Sequence, residues 1–291
     1  MEKAVVLPAA AGAAGIAGLI ARWLYLDKGF EVGTGLPLSV SAPGIVMWIL
    51  AVAVVAVCFL LGRGSPRTFA QCYTGAFTPR RFFQAAGQMA AVVLLAAGGF
   101  LNLAAYVSSP VGPDGAREEI LARLFLGVLC LLAAAGIYLV LQLLRKGTEV
   151  RSVWLSVPGF ACCLWVMLNY YASWAEDPIV ARYVLPLAAG LLTLVACCLI
   201  PGFAYGKGRV TLTLVVSLTG AALNLFTLAD GTPLYDTAVT LGLTFYLLAQ
   251  ASILADNANR PEPPEPPACP SCSGGCAGCA GCGGEGQEPN P

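Results

Sequence analysis

Eight apolar stretches, each close to the length of a membrane-spanning helix, dominate the first 256 residues of the chain. A helix needs about 20 mostly apolar residues to cross the hydrocarbon core of a bilayer. The stretches cover residues 4–26, 44–62, 83–107, 122–144, 153–174, 180–205, 210–229 and 236–255. None of them alternates apolar and polar residues as a barrel strand does. The sequence therefore predicts an all-α fold, a polytopic transmembrane helix bundle with about eight spans.

The composition fits a chain whose main partner is the lipid bilayer. Only 11% of the 291 residues are charged and 58% are hydrophobic, whereas soluble domains carry about 25% charged residues. The formal net charge is zero, which gives no indication of a nucleic-acid partner. The first apolar run, 4–21, is longer than the hydrophobic region of a signal peptide, about 7–15 residues, so we interpret it as a retained span.

The basic residues predict the orientation of the bundle. Segment 63–81 carries four arginines and no acidic residue, and basic residues near span ends tend to stay in the cytoplasm. With this segment inside, eleven of the sixteen lysines and arginines fall on the same side. An even number of spans then places both the N-terminus and the C-terminus in the cytoplasm. We expect the cytoplasmic (plasma) membrane as the location.

Residues 257–291 differ sharply from the membrane domain, which we place at residues 1–256. They contain eight prolines, seven glycines and five cysteines, a composition that predicts a disordered cytoplasmic tail. The cysteines, spaced C-x2-C-x3-C-x2-C-x2-C, are Cys269, Cys272, Cys276, Cys279 and Cys282. Thiolates bind zinc, copper(I) and iron–sulfur clusters, so a metal site at these residues is one interpretation. A low-complexity tail without metal is the other.

Three asparagines form the candidate ligand site. Asn102, Asn169 and Asn224 each follow a leucine and lie about two turns before the predicted outer end of a span. At one depth, three amides could line a polar site that opens outward. The alternative is that each amide makes hydrogen bonds between helices, as polar residues in membrane bundles often do.

Two further patterns concern cysteine pairs within the spans and arginines near the span ends. The pairs Cys162–Cys163 and Cys197–Cys198 could bring four thiols to one level, or could pack as small apolar residues. Arg22 and Arg123 lie close enough to span ends to extend toward the headgroups, so neither is expected to be a buried charge.

The absence of histidine narrows the functional classes, because it excludes histidine-ligated zinc, axial histidine on haem and catalysis by a histidine base. An enzyme is therefore the least expected class. The first hypothesis is a permease-like or small-molecule-binding membrane component. The second is a membrane-anchored handler or sensor of soft metals or thiol redox state that uses the Cys-rich tail. The third is a structural subunit, with membrane protein partners or a homo-oligomer formed through the small-residue face of the first span, Ala11, Ala14, Gly15 and Gly18.

Overall fold

The computed structural model describes residues 3–31, 36–38, 41–62, 73–108, 116–148, 150, 153–170 and 179–259. All of them belong to the compact unit Met1–Arg260. The described residues form nine α-helices, which are α1 Lys3–Lys28, α2 Ala42–Gly62, α3 Tyr73–Phe77, α4 Phe82–Ser108, α5 Ala116–Arg145, α6 Val157–Asn169, α7 Val180–Gly202, α8 Val210–Thr227 and α9 Leu234–Ala258. No β-strand occurs among them, apart from an isolated bridge between Phe30 and Pro37. The predicted all-α fold is confirmed.

Seven helical segments of the described chain are long and apolar enough to cross a membrane. They are Ala4–Lys28, Ala42–Leu60, Phe82–Ser108, Leu121–Arg145, Arg182–Tyr205, Val210–Asp230 and Leu234–Ala258. Each overlaps one of the predicted spans. Their length and composition identify the chain as a multi-pass helical membrane protein.

The fifth predicted span covers residues 153–174, of which the structure describes 153–170. The apolar segment Val153–Asn169 consists of a 3-10 turn, Val153–Leu155, followed by α6. Pro158 lies in the first turn of α6, where the missing N–H of proline does not break a helical hydrogen bond.

The turn that precedes α6 packs against the second half of α5. A Cβ on Gly136 would lie 3.2 Å from Trp154 Cε3, and Gly136 is nine residues before the end of α5. The glycine therefore lets the turn before α6 pack directly on the α5 backbone.

The helix ends alternate between two ends of the bundle. At one end, Asn257 donates a hydrogen bond to the carbonyl oxygen of Ala76 at 2.9 Å, and Ser252 donates one to that of Ala4 at 2.7 Å. These contacts place the end of α9 beside the start of α1 and beside α3. At the other end, which we call the cavity end, α1, α6 and α8 finish while α5, α7 and α9 begin.

α8 and α9 form the centre of the bundle. α8 packs against α1, α2, α7 and α9, and α9 also packs against α1 and α4. Leucines on both helices, such as Leu218 and Leu243, are almost entirely buried. The face of α1 that meets α8 contains glycine: a Cβ on Gly18 would lie 1.8 Å from Phe226 Cε1. α1 and α8 therefore approach each other closely within one chain.

Candidate functional site

A cavity of about 350 Å³ lies at the cavity end, and described residues of six helices line it. Its wall includes five charged residues, which are Arg22, Arg123, Arg182, Asp230 and Asp236. The remaining wall combines hydroxyl and amide groups with two aromatic side chains, Trp165 and Tyr183. A concave site of this size with a few converging polar groups is typical of small-molecule sites.

Arg22 is the most deeply buried charge of the cavity wall, with 0% of its surface exposed. Its Nε donates a hydrogen bond to Asp230 Oδ1 at 2.8 Å, and its Nη2 donates one to the backbone oxygen of Arg182 at 2.6 Å. The guanidinium also lies 5.7 Å from the centre of the Tyr25 ring. The expectation that Arg22 extends toward the headgroups is therefore wrong.

Local helix geometry explains how Arg22 reaches Asp230. Residues four apart lie on one face of a helix, so Arg22 is on the same face of α1 as Gly18. Because Gly18 has no side chain, α1 can approach α8 closely enough for Arg22 to meet the turn that follows α8. This relationship joins residues 208 positions apart, and no local pattern in the sequence reveals it.

Asp230 is held by a 3-10 turn, Leu228–Asp230, that follows α8 directly. The turn ends at Gly231, whose φ of +67° is in the left-handed region that favours glycine. While Oδ1 of Asp230 accepts the Arg22 hydrogen bond, Oδ2 is buried and has no hydrogen-bond partner among the described residues. Asp230 therefore brings an acceptor that the described part of the chain leaves unsatisfied.

A second ion pair lies across the cavity wall. Arg123 Nη1 is 3.9 Å from Asp236 Oδ2, with 17% and 7% of the two side chains exposed. The Arg123 guanidinium also lies 4.7 Å from the centre of the Tyr235 ring. Asp236 is in the first turn of α9, where the helix dipole favours a negative charge.

The third arginine lies at the rim of the cavity. Arg182 is exposed, and its guanidinium stacks 5.0 Å from the centre of the Phe30 ring. Its backbone oxygen is the acceptor for Arg22 Nη2, so the start of α7 is tied to the end of α1.

Polar groups without charge complete the wall. Thr240 donates to the backbone oxygen of Asp236 at 2.8 Å, and Thr227 to that of Asn224 at 2.8 Å. Trp165 is 6% exposed, and its indole Nε1 is buried with no hydrogen-bond partner in the part of the chain that the structure describes. The wall thus has both a donor and an acceptor that lack protein partners there.

Among the predicted asparagines, Asn169 lines the cavity, whereas Asn102 and Asn224 are not among its lining residues. Asn169 donates to the backbone oxygen of Trp165 at 2.9 Å. Asn102 donates to the carbonyl oxygen of Gly98 within α4 at 2.8 Å. Asn224 donates to Thr193 Oγ1 of α7 at 2.9 Å. A ligand site formed by all three amides stays a prediction.

The sequence predicted two candidate thiol sites, one in the Cys-rich tail and one within the bundle. The tail cysteines Cys269 to Cys282 lie outside the described residues. Within the bundle, Cys162 and Cys197 are buried, and Cys162 Sγ lies 3.8 Å from the backbone oxygen of Gly190. Among the residues that the structure describes, no group of three or more histidine, cysteine, aspartate or glutamate side chains is arranged to hold a metal ion.

The charged cavity is the feature of this multi-pass membrane protein that sequence patterns did not predict. Two of its five charged residues, Arg22 and Arg123, were expected to extend toward the headgroups. Their partners Asp230 and Asp236 lie next to other spans, far along the chain. Neither a family model, nor a curated protein, nor a solved structure matches the chain.

Proposed function

We propose that this chain is a permease-like or solute-binding membrane protein, whose binding site is the charged cavity. The observation that carries the proposal is Arg22, a fully buried cation on a membrane-spanning helix, paired with Asp230 on the wall of that cavity. Moving an ion out of water costs several kcal/mol, and a buried pair often contributes less stability than apolar residues would. Ionisable residues inside spans are therefore functional candidates.

The unsatisfied atoms indicate a polar ligand. Asp230 Oδ2 can accept a hydrogen bond and the indole N–H of Trp165 can donate one. Both atoms are buried, so a small solute with both donors and acceptors would satisfy the two groups after a side chain of the wall moves aside. The proposed ligand is therefore a small polar molecule, and its size fits a cavity near the lower end of the range of about 300–1,000 Å³ for ligand sites.

The packing of α9 beyond the cavity shows what the transport of a solute would require. Past Thr240, α9 presents Leu243 and Leu247, both 0% exposed. A solute in the cavity would face a packed apolar core in this conformation. Transport would therefore need a second conformation of the helices, whereas binding would not. If the basic residues set the orientation, the cavity opens to the outside of the cytoplasmic membrane and both termini are inside.

A screen of small polar solutes tests the proposal. The full-length protein in lipid nanodiscs is heated with sugars, amino acids and organic acids, each tested separately. A solute at 100 times its Kd stabilises the folded state by about 2.7 kcal/mol. We expect at least one class of solute to raise the melting temperature, and expect that effect to disappear in a variant with Thr240→Val and Asn169→Leu.

The matched control is Asp256→Asn, which alters the Arg81–Asp256 ion pair at the opposite end of the bundle, 3.1 Å between Nη2 and Oδ1. It should keep the full response to the solute. If no solute raises the melting temperature, or if the cavity variant responds as strongly as the unmodified protein, the cavity is not the binding site.

A second candidate function, handling of soft metals or thiol redox state, is favoured by the cysteine spacing from Cys269 to Cys282. Its test is the metal content of the full-length protein compared with a version that ends at Asn259, after both have been loaded with zinc or copper(I) under reducing conditions. Stoichiometric metal that is lost with the tail supports this function. Equal metal content in the two proteins contradicts it.

A further inference from the structure

We infer that the bundle holds a structural water molecule between Tyr73, Gln88 and Gln250, at a site separate from the charged cavity. The site is a small cavity between α3, α4, α5, α9 and the start of α6. It lies toward the end of the bundle opposite the charged cavity, since Gln88 is close to the start of α4 and Gln250 is in the last third of α9. The inference does not depend on the proposed function.

The volume of this small cavity matches one water molecule. Its volume is about 10 Å³, and a cavity needs about 10–15 Å³, roughly one probe sphere, to hold a water. An organic solute or a lipid chain would not fit. The site therefore selects water by size.

Three polar atoms from three helices in the wall of this cavity lack a hydrogen-bond partner. Within the described residues, no partner is present for Tyr73 Oη, Gln88 Nε2 or Gln250 Oε1, although all three are buried. Much of the remaining wall is apolar, with Ile137, Val140 and Leu155 among its residues. A buried polar atom without a partner destabilises a fold, so a bridging group that satisfies all three is strongly favoured.

Water has the hydrogen-bonding capacity that these atoms need. The Gln88 amide N–H donates to it, Gln250 Oε1 accepts from it, and the Tyr73 hydroxyl can do either. Buried waters make about three hydrogen bonds each. Burial raises the pKa of the Tyr73 phenol, and the nearby Gln250 side chain opposes that rise. The phenol thus stays protonated at neutral pH, and it lies beside the Gln250 side chain.

Through its hydrogen bonds, such a water would stabilise the packing of the short helix α3 on the bundle. Tyr73 is the first residue of α3, which contains only five residues, whereas Gln88 and Gln250 belong to two long spans. Through the water, a side chain of α3 would be linked to α4 and to α9.

Radiolytic footprinting of the full-length protein in nanodiscs tests the site. X-ray pulses convert bound water into hydroxyl radicals, which oxidise side chains next to that water even when bulk solvent cannot reach them. Tyr73 is 2% exposed and Phe77, on the same helix, is 0% exposed. We expect oxidation of Tyr73 to be at least about five times faster than that of Phe77, and to fall to the Phe77 rate in Gln88→Leu, which replaces the amide that holds the water with an apolar side chain.

The measurement on the unmodified protein decides the question even if Gln88→Leu does not fold. Oxidation of Tyr73 at the rate of Phe77 would overturn the inference, because both rings would then be equally far from water. Fast oxidation of Tyr73 that persists in a folded Gln88→Leu variant would also overturn it, since the radicals would then come from bulk solvent rather than from a water held by Gln88.

Discussion

Arg22 and Asp230, 208 positions apart in the sequence, form a hydrogen-bonded ion pair of 2.8 Å on the wall of the charged cavity. The guanidinium side chain is 1% exposed and the carboxylate side chain 15%. The pair joins the end of α1 to the turn after α8. It therefore fixes the position of two elements of the cavity wall and also places two charges where a solute could meet them.

Removing the carboxylate should destabilise the protein strongly. Asp230→Ala leaves the buried Arg22 guanidinium without its counter-ion, and breaking a buried pair in this way costs about 3–5 kcal/mol. The free energy of unfolding in mixed micelles with increasing denaturing detergent measures the change. Asp256→Ala should cost less, because the Arg81 side chain that it leaves without this carboxylate is 23% exposed and can be hydrated, whereas that of Arg22 is 1% exposed. Equal losses in the two variants would contradict the assignment of Arg22–Asp230 as a buried pair.

Replacing the whole pair separates stability from function. The double variant Arg22→Met with Asp230→Leu removes both charges, and apolar replacements of a buried pair are often neutral or stabilising. We expect the double variant to regain most of the stability that Asp230→Ala loses. We expect it to lose binding of any solute found in the screen, by at least about tenfold in Kd. A stable double variant that binds the solute with unchanged affinity would show that the pair is purely structural.

The helical spans could be predicted from the sequence because their signal is local. In lipid, a run of about 20 apolar residues forms a helix whatever its neighbours are, because its backbone N–H and C=O groups must bond to one another. Within the fifth run, hydropathy does not distinguish the 3-10 turn Val153–Leu155 from the α-helix that follows it. Trp154 packs on Gly136 of α5, and this contact between separate helices sets where α6 begins.

The charged cavity could not be predicted, because each of its ion pairs joins distant parts of the chain. An arginine near a span end has the same local sequence whether it extends to the headgroups or pairs inside the bundle. Which outcome occurs depends on the close approach of α1 and α8, and hence on Gly18 and Phe226. The asparagines gave a clearer local pattern, but their side chains bond to different neighbours, such as Gly98 for Asn102 and Thr193 for Asn224.

Adding a methyl group at Gly18 should separate α1 from α8. The Cβ of Gly18→Ala would lie 1.8 Å from Phe226 Cε1, and Phe226 is 0% exposed, so its ring cannot move away freely. Overpacking of this kind typically costs about 1–3 kcal/mol. Unfolding in mixed micelles measures it, with Gly12→Ala as the control because nothing lies within 4 Å of a Cβ at Gly12.

A second substitution at the same contact checks the cause. If the clash with Phe226 is responsible, Phe226→Leu should partly compensate for Gly18→Ala, so the double variant should be more stable than the sum of the two single losses predicts. Additive losses would instead mean that Gly18→Ala acts through α1 alone.

Tyr73 should make the stability of the protein sensitive to high pH. Burial raises the pKa of its phenol above the ordinary value of 10.0, so the folded protein keeps the proton after the unfolded chain has begun to lose it. The stabilisation is complete below about pH 10 and is lost as pH rises from there toward the higher pKa of the folded state. Tyr73→Phe should therefore lose less stability than the unmodified protein between about pH 10 and 11.5, measured by unfolding in mixed micelles. Tyr205→Phe, at a side chain that is 59% exposed, is the control, and a pH dependence that is the same in all three proteins would contradict the burial of the Tyr73 hydroxyl.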